Sequence, residues 1–133
     1  MFKIGDKIIF TEKITDEMVR KFAEVSGDKN PMHLDDEYAS KTRFGKRIAH
    51  GMIFAALFSR GLAQELGPGG IYLSQTLKFI NPVFIDDIVT IEITVTNLKP
   101  ERGLGVAETL CKNQHGELCV KGEAMIMSAE HVK

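Results

Sequence analysis

The clearest pattern of hydrophobic and polar positions lies in the second half of the chain, over residues 89–96. Branched apolar residues alternate there with polar ones, in the order Val-Thr-Ile-Glu-Ile-Thr-Val-Thr. An alternation with a period of two is typical of a strand that buries one side and exposes the other. Residues 104–112 and 118–128 repeat the pattern more weakly, and turn-forming segments at 99–103 and 114–116 separate the three. We therefore expect long antiparallel strands joined by hairpins.

Two further strands are expected earlier in the chain. The segment 71–79 is predicted to be one strand with a shared apolar side, formed by Ile71, Leu73, Leu77 and Phe79. Asn81-Pro82 ends this strand, because proline cannot donate to a sheet. A short apolar run at residues 7–10 predicts a first strand that ends near residues 12–13.

The middle of the chain predicts a long buried helix from His50 to Leu66. Its first half is apolar on every side, and Gly67-Pro68-Gly69-Gly70 is a strong stop signal. A shorter helix is expected after the capping residue Thr15, with acidic residues in its first turn that suit the helix dipole. Asp35 or Asp36 is expected to cap a third, short helix.

Together these elements predict a single α+β domain over residues 1–133. An antiparallel sheet with one apolar side needs a cover, and the helix from His50 to Leu66 is apolar enough to provide it. A sheet wrapped around one long central helix is the hot-dog fold. The edge strands of such a sheet are open to pairing, so we expect a homodimer joined through sheet edges, or a higher oligomer.

Composition narrows the functional class. The chain has 133 residues, of which 44% are hydrophobic and 26% are charged, and its formal net charge is −1. A charge so close to zero argues against a nucleic-acid partner bound through a broad basic face. Ser59 and Arg60 interrupt the longest apolar run before it reaches the roughly 20 residues of a membrane span, so no membrane partner is expected.

Two features of the sequence bear on its compartment. No basic stretch followed by an apolar one opens the chain, which predicts a cytoplasmic protein, or a mitochondrial-matrix protein if a targeting peptide has been removed. Cys111 and Cys119 flank the turn at residues 114–116. In a reducing compartment we expect both to be free core thiols rather than a disulfide or a metal-binding pair.

Candidate chemistry is concentrated in the loop at residues 26–33. Asp28, Asn30 and His33 lie within six residues of one another, and Pro31 stiffens the backbone between them. An Asp and a His that fold toward one water molecule form a general acid–base pair. The pattern Asp-X-Asn-Pro is also ordinary turn chemistry, and the spacing alone favours that simpler interpretation.

Three segments resemble one enzyme family. Residues 22–35, Phe-Ala-Glu-Val-Ser-Gly-Asp-Lys-Asn-Pro-Met-His-Leu-Asp, closely resemble the hydratase 2 motif of MaoC-like (R)-specific enoyl-CoA hydratases. Residues 47–52 resemble the segment that opens the central helix of that family, and residues 78–83 resemble its strand-ending motif. Asp36 stands where the family often has proline, and residues 84–87 lack a common glycine. The resemblance covers nearly the whole chain and is to the short, single-hot-dog members, such as those that supply polyhydroxyalkanoate synthesis.

The resemblance implies a hydro-lyase that adds water reversibly, in the syn sense, to trans-2-enoyl-CoA and gives (R)-3-hydroxyacyl-CoA. It implies no metal and no cofactor, because CoA is part of the substrate. Asp28 and His33 would be the catalytic pair. The backbone N–H of Gly51 would donate to the thioester oxygen, although close helix packing is another reason for a glycine there. Asn30 either orients Asp28 or the water, or braces the turn before Pro31.

One further site residue is implied by the resemblance, and others are expected from their positions and charges. Ser59 matches a serine that lines the active site of short family members, although buried serines most often bond to the carbonyl four residues earlier. Leu62 and Met127 are expected to line the acyl pocket. His50 is expected only to mark the start of the helix. The basic residues of one connector either contact the CoA phosphates or are simply solvated: Lys41, Arg43, Lys46 and Arg47.

Three alternative functions fit the same pattern. A 3-hydroxyacyl-ACP dehydratase of fatty-acid synthesis runs the same chemistry in the other direction, and the sequence does not separate acyl-CoA from acyl-ACP as the partner. A hot-dog thioesterase shares the fold but hydrolyses the thioester. A non-catalytic acyl-CoA-binding protein would need neither Asp28 nor His33 for catalysis.

Overall fold

The computed structural model describes residues 2–66 and 68–133, except for the side chains of residues 64–66. Its strands are β1 (Lys7–Lys13), β2 (Ile71–Gln75), β3 (Lys78–Phe79), β4 (Ile88–Lys99), β5 (Leu104–Lys112) and β6 (Leu118–Met127). Its α-helices are α1 (Asp16–Ser26), α2 (Pro31–Leu34), α3 (Asp36–Ser40), α4 (Gly51–Arg60) and α5 (Ala129–Val132). A π-helix (Gly61–Leu66) directly follows α4, and a 3-10 helix (Pro100–Arg102) joins β4 to β5.

The strands form one antiparallel sheet, and the segment with the clearest alternation lies inside it. The strand order is β1-β4-β5-β6-β2, and β3 also pairs with β6. The register places Ile91 of β4 opposite Phe10 of β1 on one side and Cys111 of β5 on the other. The alternating apolar residues of β4 are all buried: Val89, Ile91, Ile93 and Val95. The long hairpin strands predicted from the sequence are therefore confirmed.

Helix α4 covers the buried side of the sheet. Its side chains Phe54 and Phe58 belong to the same apolar cluster as the buried residues of β4. The helical backbone lies against the sheet at Gly61, where a Cβ atom would be 2.5 Å from Cδ1 of Ile93. A side chain at this position would have to displace the Ile93 methyl group, so glycine favours the close approach of the two layers. A sheet packed on one central helical segment is the hot-dog fold that the sequence predicted.

The α-helical part of the central helix is shorter than predicted. The α-helix has 10 residues and ends at Arg60 instead of continuing to Leu66. The next six residues form a π-helix, which begins at Gly61, where the backbone touches the sheet. A π-turn accommodates an extra residue per turn, and an apolar pattern does not distinguish it from an α-turn. The stop signal predicted at Gly67 falls on a residue outside those described.

The strand predicted over residues 71–79 is divided into β2 and β3. A bulge between Tyr72 and Ser74 shifts the register against β6, so the residues no longer alternate cleanly between two sides. The carbonyl oxygen of Thr76 lies where a Cβ on Gly122 would be, at 1.8 Å, which marks the break. The predicted buried side is wrong, because Ile71 and Phe79 are 45% and 55% exposed. The bulge and the position of these strands at the sheet edge explain the difference.

Local signals at the helix ends are confirmed. The Oγ1 atom of Thr15 accepts a hydrogen bond of 3.1 Å from the backbone of Met18 and caps α1. Gly27 ends α1 in the left-handed conformation at φ 78°. Asp35 is the residue that caps α3, because its Oδ1 accepts from the backbone N–H of Tyr38 at 3.1 Å.

The structure also bears on the expectations for the two cysteines and for a membrane span. Cys111 and Cys119 are free and buried, as predicted, and burial raises the pKa of the Cys111 thiol to about 12. Among the residues that the structure describes, no helix is long and apolar enough to cross a membrane.

Candidate active site

The loop between α1 and α2 places Asp28 and builds the turn that carries His33. The backbone N–H of Asn30 lies 3.3 Å from Oδ1 of Asp28, and Oδ1 of Asn30 accepts from the N–H of Met32 at 3.0 Å. Asn30 is thus the N-cap of α2, and Pro31 occupies the first position of the helix, which proline favours. The side chain of Asn30 braces the turn, while its backbone orients the carboxylate.

His33 presents one nitrogen to the site and uses the other to fix its ring. Its Nδ1 lies 2.7 Å from the carbonyl oxygen of Ile48. A carbonyl only accepts hydrogen bonds, so this contact places the hydrogen of the neutral ring on Nδ1. The Nε2 atom therefore carries a lone pair and can act as a base.

Asp28, His33 and His50 form one cluster, in which one polar side-chain atom of each lies within 4.8 Å of the others. The prediction that the turn brings Asp28 and His33 together is confirmed in its geometry. The rings of His33 and His50 are stacked, with centroids 3.9 Å apart and planes at 31°. One nitrogen of each ring and a carboxylate oxygen of Asp28 also lie close enough together to serve as ligands of a metal ion.

His50 is the member of this cluster that the sequence did not predict. It is 1% exposed, and its Nε2 lies 2.9 Å from the backbone oxygen of Asp28. Burial is the main reason that its pKa is lowered, which favours the neutral ring. The available signal was a single imidazole between apolar residues at the start of an apolar helix, a position that costs free energy unless the ring is hydrogen-bonded.

Gly51 begins α4 beside this cluster. The preceding residue, His50, is the N-cap but makes no side-chain hydrogen bond to the first turn. The positive end of the helix dipole therefore lies here without a side-chain cap. A Cβ on Gly51 would lie 2.6 Å from Cε1 of Phe79, so close packing also requires a glycine. Both reasons offered for this glycine remain compatible with the geometry.

A cavity of about 380 Å³ is lined by the imidazole of His33 and by apolar side chains. Its lining includes polar groups from the loop and connector together with side chains of α4 and the sheet: His33, Arg43, Gly51, Met52, Phe79 and Val120. The volume falls within the range of sites for small-molecule ligands. The cavity therefore offers an apolar space that begins at the candidate base.

Five of the seven predicted site residues are not among those that line this cavity: Asp28, Asn30, Ser59, Leu62 and Met127. Ser59 is partly buried on α4, two turns beyond Gly51. Leu62 is 1% exposed and, together with Tyr72, lines a separate cavity of about 10 Å³. Met127 ends β6, where it pairs with Ile71 and Leu104. The roles of the last three in binding an acyl chain stay predictions.

Arg47 makes structural contacts that were not predicted from the sequence. It was expected to be solvated or to meet a phosphate, but it is 6% exposed. Its Nε donates to the backbone oxygen of His33 at 2.8 Å, and its guanidinium pairs with Asp16 and Asp36. The hydrogen bond from Arg47 is the main reason that the pKa of Asp16 is lowered, and Arg20 contributes next. Arg47 therefore supports the turn that carries His33.

The other basic residues of the connector lie at the surface. Lys41 pairs with Glu37 at 3.5 Å, and Lys46 lies 4.5 Å from the ring centroid of Phe84. Arg43 lines the cavity, and its side chain is exposed to solvent. Arg43 is thus the basic side chain of the connector best placed to meet an anionic group of a bound ligand.

Comparison with known proteins gives consistent results. The model of the MaoC like domain family matches residues 2–114. The (R)-specific enoyl-CoA hydratase of Aeromonas caviae is 42% identical over 125 residues, which cover 93% of each chain. The mitochondrial 3-hydroxyacyl-[acyl-carrier-protein] dehydratase of Arabidopsis thaliana is 35% identical over 127 residues, which cover 93% of this chain and 76% of the plant protein.

Solved structures agree with the sequence matches. The (R)-hydratase of A. caviae involved in PHA biosynthesis superposes with a TM-score of 0.93 at 41% identity, over 96% of this chain and 97% of that chain. The unliganded R-hydratase PhaJ1 of Pseudomonas aeruginosa superposes with a TM-score of 0.90 at 43% identity, over 96% and 82% of the two chains.

Proposed function

Because this chain belongs to the MaoC-like domain family, we propose that it is an (R)-specific enoyl-CoA hydratase. In this reaction, water adds reversibly and in the syn sense to trans-2-enoyl-CoA, which gives (R)-3-hydroxyacyl-CoA. The observation that carries the proposal is the convergence of Asp28 and His33 beside the start of α4. Hydration of an enoyl thioester requires a base, an acid and a donor to the thioester oxygen, and a carboxylate, an imidazole and a helix N-terminus can fill these roles.

His33 takes a proton from water and returns it to the substrate. Its Nδ1–H is held by Ile48, so its Nε2 accepts the proton as the water O–H bond breaks. The water oxygen bonds to C3, and the electron pair of the double bond moves toward the thioester carbonyl. The imidazolium then gives the same proton to C2 on the same face, which makes the addition syn. Asp28 orients the water and offsets the charge of the imidazolium.

The start of α4 stabilises the charge that develops on the thioester oxygen. Gly51 lines the same cavity as His33, and its N–H lies at the positive end of the helix dipole. A donor held in place before the reaction stabilises the enolate without reorganisation. The side chain of His50 does not cap the first turn, which keeps that turn accessible to a substrate oxygen.

The proposed reaction uses no metal and no redox cofactor. Water addition changes no oxidation state overall, and the acid–base pair supplies the proton transfer. The CoA carrier belongs to the substrate.

Single substitutions test the catalytic pair. His33→Ala is expected to lower kcat for crotonyl-CoA hydration by about 10²–10⁴-fold, the range for a lost acid–base group. Asp28→Asn is also expected to lower kcat, because the neutral amide no longer offsets the charge of the imidazolium. Circular dichroism checks that both variants fold, and His115→Ala, in an exposed turn, is the matched control. Hydration at the wild-type rate in both folded variants would reject the proposed site.

An acyl-ACP substrate is the second candidate, favoured by the similarity to the plant dehydratase. Both carriers present a phosphate near the thioester arm, and Arg43 is exposed beside the cavity. The ratio of kcat/KM for crotonyl-CoA and crotonyl-ACP separates the two carriers. Release of a free thiol from acyl-CoA without hydration would instead indicate a thioesterase, and binding without either reaction would indicate a non-catalytic protein.

The acyl chain is proposed to enter the apolar part of the cavity. Ser59 keeps the role that the family resemblance gives it, and Leu62 and Met127 stay proposed lining residues of the acyl pocket, with Leu62 at the small separate cavity. If Leu62 limits the chain, Leu62→Ala will raise kcat/KM for longer enoyl-CoA substrates relative to crotonyl-CoA. An unchanged ratio would remove Leu62 from the pocket.

We also propose that two copies of the chain pair through the β2–β3 edge of the sheet, in the cytoplasm. Large apolar side chains are exposed along this edge: Ile71, Leu73, Phe79 and Ile80. Exposed apolar edges are usually covered in folded proteins. Phe79 also lines the cavity, so the partner would lie close to the site.

A further inference from the structure

His50 occupies a position that structural packing alone does not explain. The imidazole is 1% exposed, and its Nδ1 is buried with no hydrogen-bond partner among the described residues. A buried polar atom without a partner costs about 1–3 kcal/mol. An apolar side chain would avoid this cost, so the ring must be retained for what its other atoms do.

One contact of His50 fixes the main chain at Asp28. The Nε2 atom lies 2.9 Å from the backbone oxygen of Asp28, a residue 22 positions earlier in the chain. Since the carbonyl can only accept, Nε2 carries the hydrogen and donates it. This hydrogen bond links the exposed catalytic loop to the start of α4.

The second contact of His50 fixes the plane of the His33 ring. The two imidazoles are stacked at 3.9 Å, and Phe22 of α1 packs on His50 at a centroid distance of 4.9 Å. His33 is thus held by Ile48 at Nδ1 and by His50 on one face. Rotation of the His33 ring would break one of these contacts.

We propose that His50 is a positioning residue, which holds the Asp28 backbone and the His33 ring in the geometry required for proton transfer. The inference rests on the proposed hydration reaction. It assigns His50 no contact with substrate and no proton transfer of its own. Because His50 also directly precedes Gly51, one residue sets the relative placement of the acid–base pair and the helix start.

The electrostatics of the cluster are consistent with this role. Burial lowers the pKa of His50, the hydrogen bond to Asp28 opposes that shift, and the nearby His33 adds to it. A neutral His50 can remain stacked while His33 becomes positively charged during turnover. Two adjacent imidazolium rings would repel each other.

Three substitutions separate the two contacts. His50→Gln keeps a donor for the Asp28 carbonyl but removes the stack, His50→Phe keeps a stacked ring but removes the donor, and His50→Ala removes both. With crotonyl-CoA, we expect kcat to fall about 100-fold in His50→Ala, the scale of a misplaced reacting group, with little change in KM. The Gln and Phe variants are expected to have intermediate kcat values. His115→Gln, in an exposed turn, is the control and is expected to match the wild type.

The pattern across the variants decides the assignment. A folded His50→Ala with wild-type kcat, a loss confined to KM, or an equal loss in all three variants would overturn it. The Gln and Phe side chains fill the space of the imidazole, so the comparison holds even if the Ala variant does not fold.

A measurement without turnover separates this inference from the proposed function. In the wild type, ¹⁵N NMR is expected to show neutral His33 protonated at Nδ1, as its bond to Ile48 requires. In the His50 variants, His33 is expected to show averaged tautomers. An inactive wild-type protein would reject the hydratase proposal alone, whereas an unchanged His33 spectrum in all the variants would reject the positioning role alone.

Discussion

At the scale of single residues, Gly51 shows how one position serves packing and chemistry together. The ring of Phe79 lies where a side chain on Gly51 would begin, and both residues line the cavity. The absence of a Cβ lets the ring approach the first turn of α4. It also leaves the N–H of that turn uncovered toward the cavity.

Gly51→Ala is expected to lower the free energy of unfolding by about 1–3 kcal/mol, the usual cost of overpacking, and to lower kcat. The cause is displacement of the Phe79 ring, because alanine retains the backbone N–H. Urea unfolding and crotonyl-CoA hydration measure the two effects. The double variant Gly51→Ala/Phe79→Leu restores the space, so it should regain activity relative to Gly51→Ala. A stable double variant that stays inactive would show that packing is not the cause.

The residues of the site differ in how far the sequence alone could predict them. Asp28 and His33 are brought together by a local turn with its own capping pattern, which the sequence displays. Arg47 and His50 contact residues that are distant in the sequence. Arg47 pairs with Asp16, which lies 31 residues earlier, and His50 bonds the backbone of Asp28, which lies 22 residues earlier. Contacts over such separations depend on the fold, and a basic run or a lone histidine carries no sign of its partner.

At the scale of elements, Arg47 holds the catalytic loop against two helices. Its pairs with Asp16 and Asp36 lie at the first residues of α1 and α3, and its Nε bonds the backbone of His33. A guanidinium can make these contacts at once because its donors lie in a rigid plane. The position of His33 therefore depends on a buried cation.

Arg47→Met is expected to lower the free energy of unfolding by about 2 kcal/mol, because hydrogen bonds from a buried charged donor are lost. It should also lower kcat, since the backbone of His33 loses its support. Arg20→Met is the matched control: it removes an exposed pair with the same Asp16, worth about 0.5 kcal/mol. Chemical unfolding and hydration rates measure both variants. Equal effects in the two would contradict a special role for Arg47.

A helix or strand could be predicted from the sequence where burial of one of its sides alone sets the pattern of apolar residues. β4 is buried on one side from Val89 to Val95, so its alternation was visible in the sequence. The division of β2 from β3 depends on a bulge and on the close approach of Thr76 to Gly122, which are tertiary features. The change from α-helix to π-helix occurs at Gly61, where the helix touches the sheet, and has no counterpart in the apolar pattern.

At the scale of the whole molecule, the two edges of the sheet differ in character. The β1 edge exposes Ile9, which is 56% exposed and has the polar residues Lys7 and Thr11 beside it on the same side of the strand. The β2–β3 edge exposes several large apolar side chains and borders the cavity through Phe79. The second edge is therefore the better candidate for contact with another copy of the chain.

Leu73→Lys is expected to convert the proposed dimer to a monomer, because a charge at the β2–β3 edge opposes burial in the interface. Ile9→Lys places the same charge on the β1 edge and should leave the dimer intact. Sedimentation velocity measures the mass of each variant. A monomer from Ile9→Lys together with a dimer from Leu73→Lys would assign the interface to the opposite edge.

The central claim is that Asp28 and His33 add water to one face of an enoyl thioester held at Gly51. The most direct test is hydration of crotonyl-CoA by the wild-type protein, followed by chiral analysis of the 3-hydroxybutyryl-CoA formed. The similarity to (R)-specific hydratases predicts the (R) product, with no release of free CoA thiol. An (S) product, or thiol release without hydration, would contradict the claim.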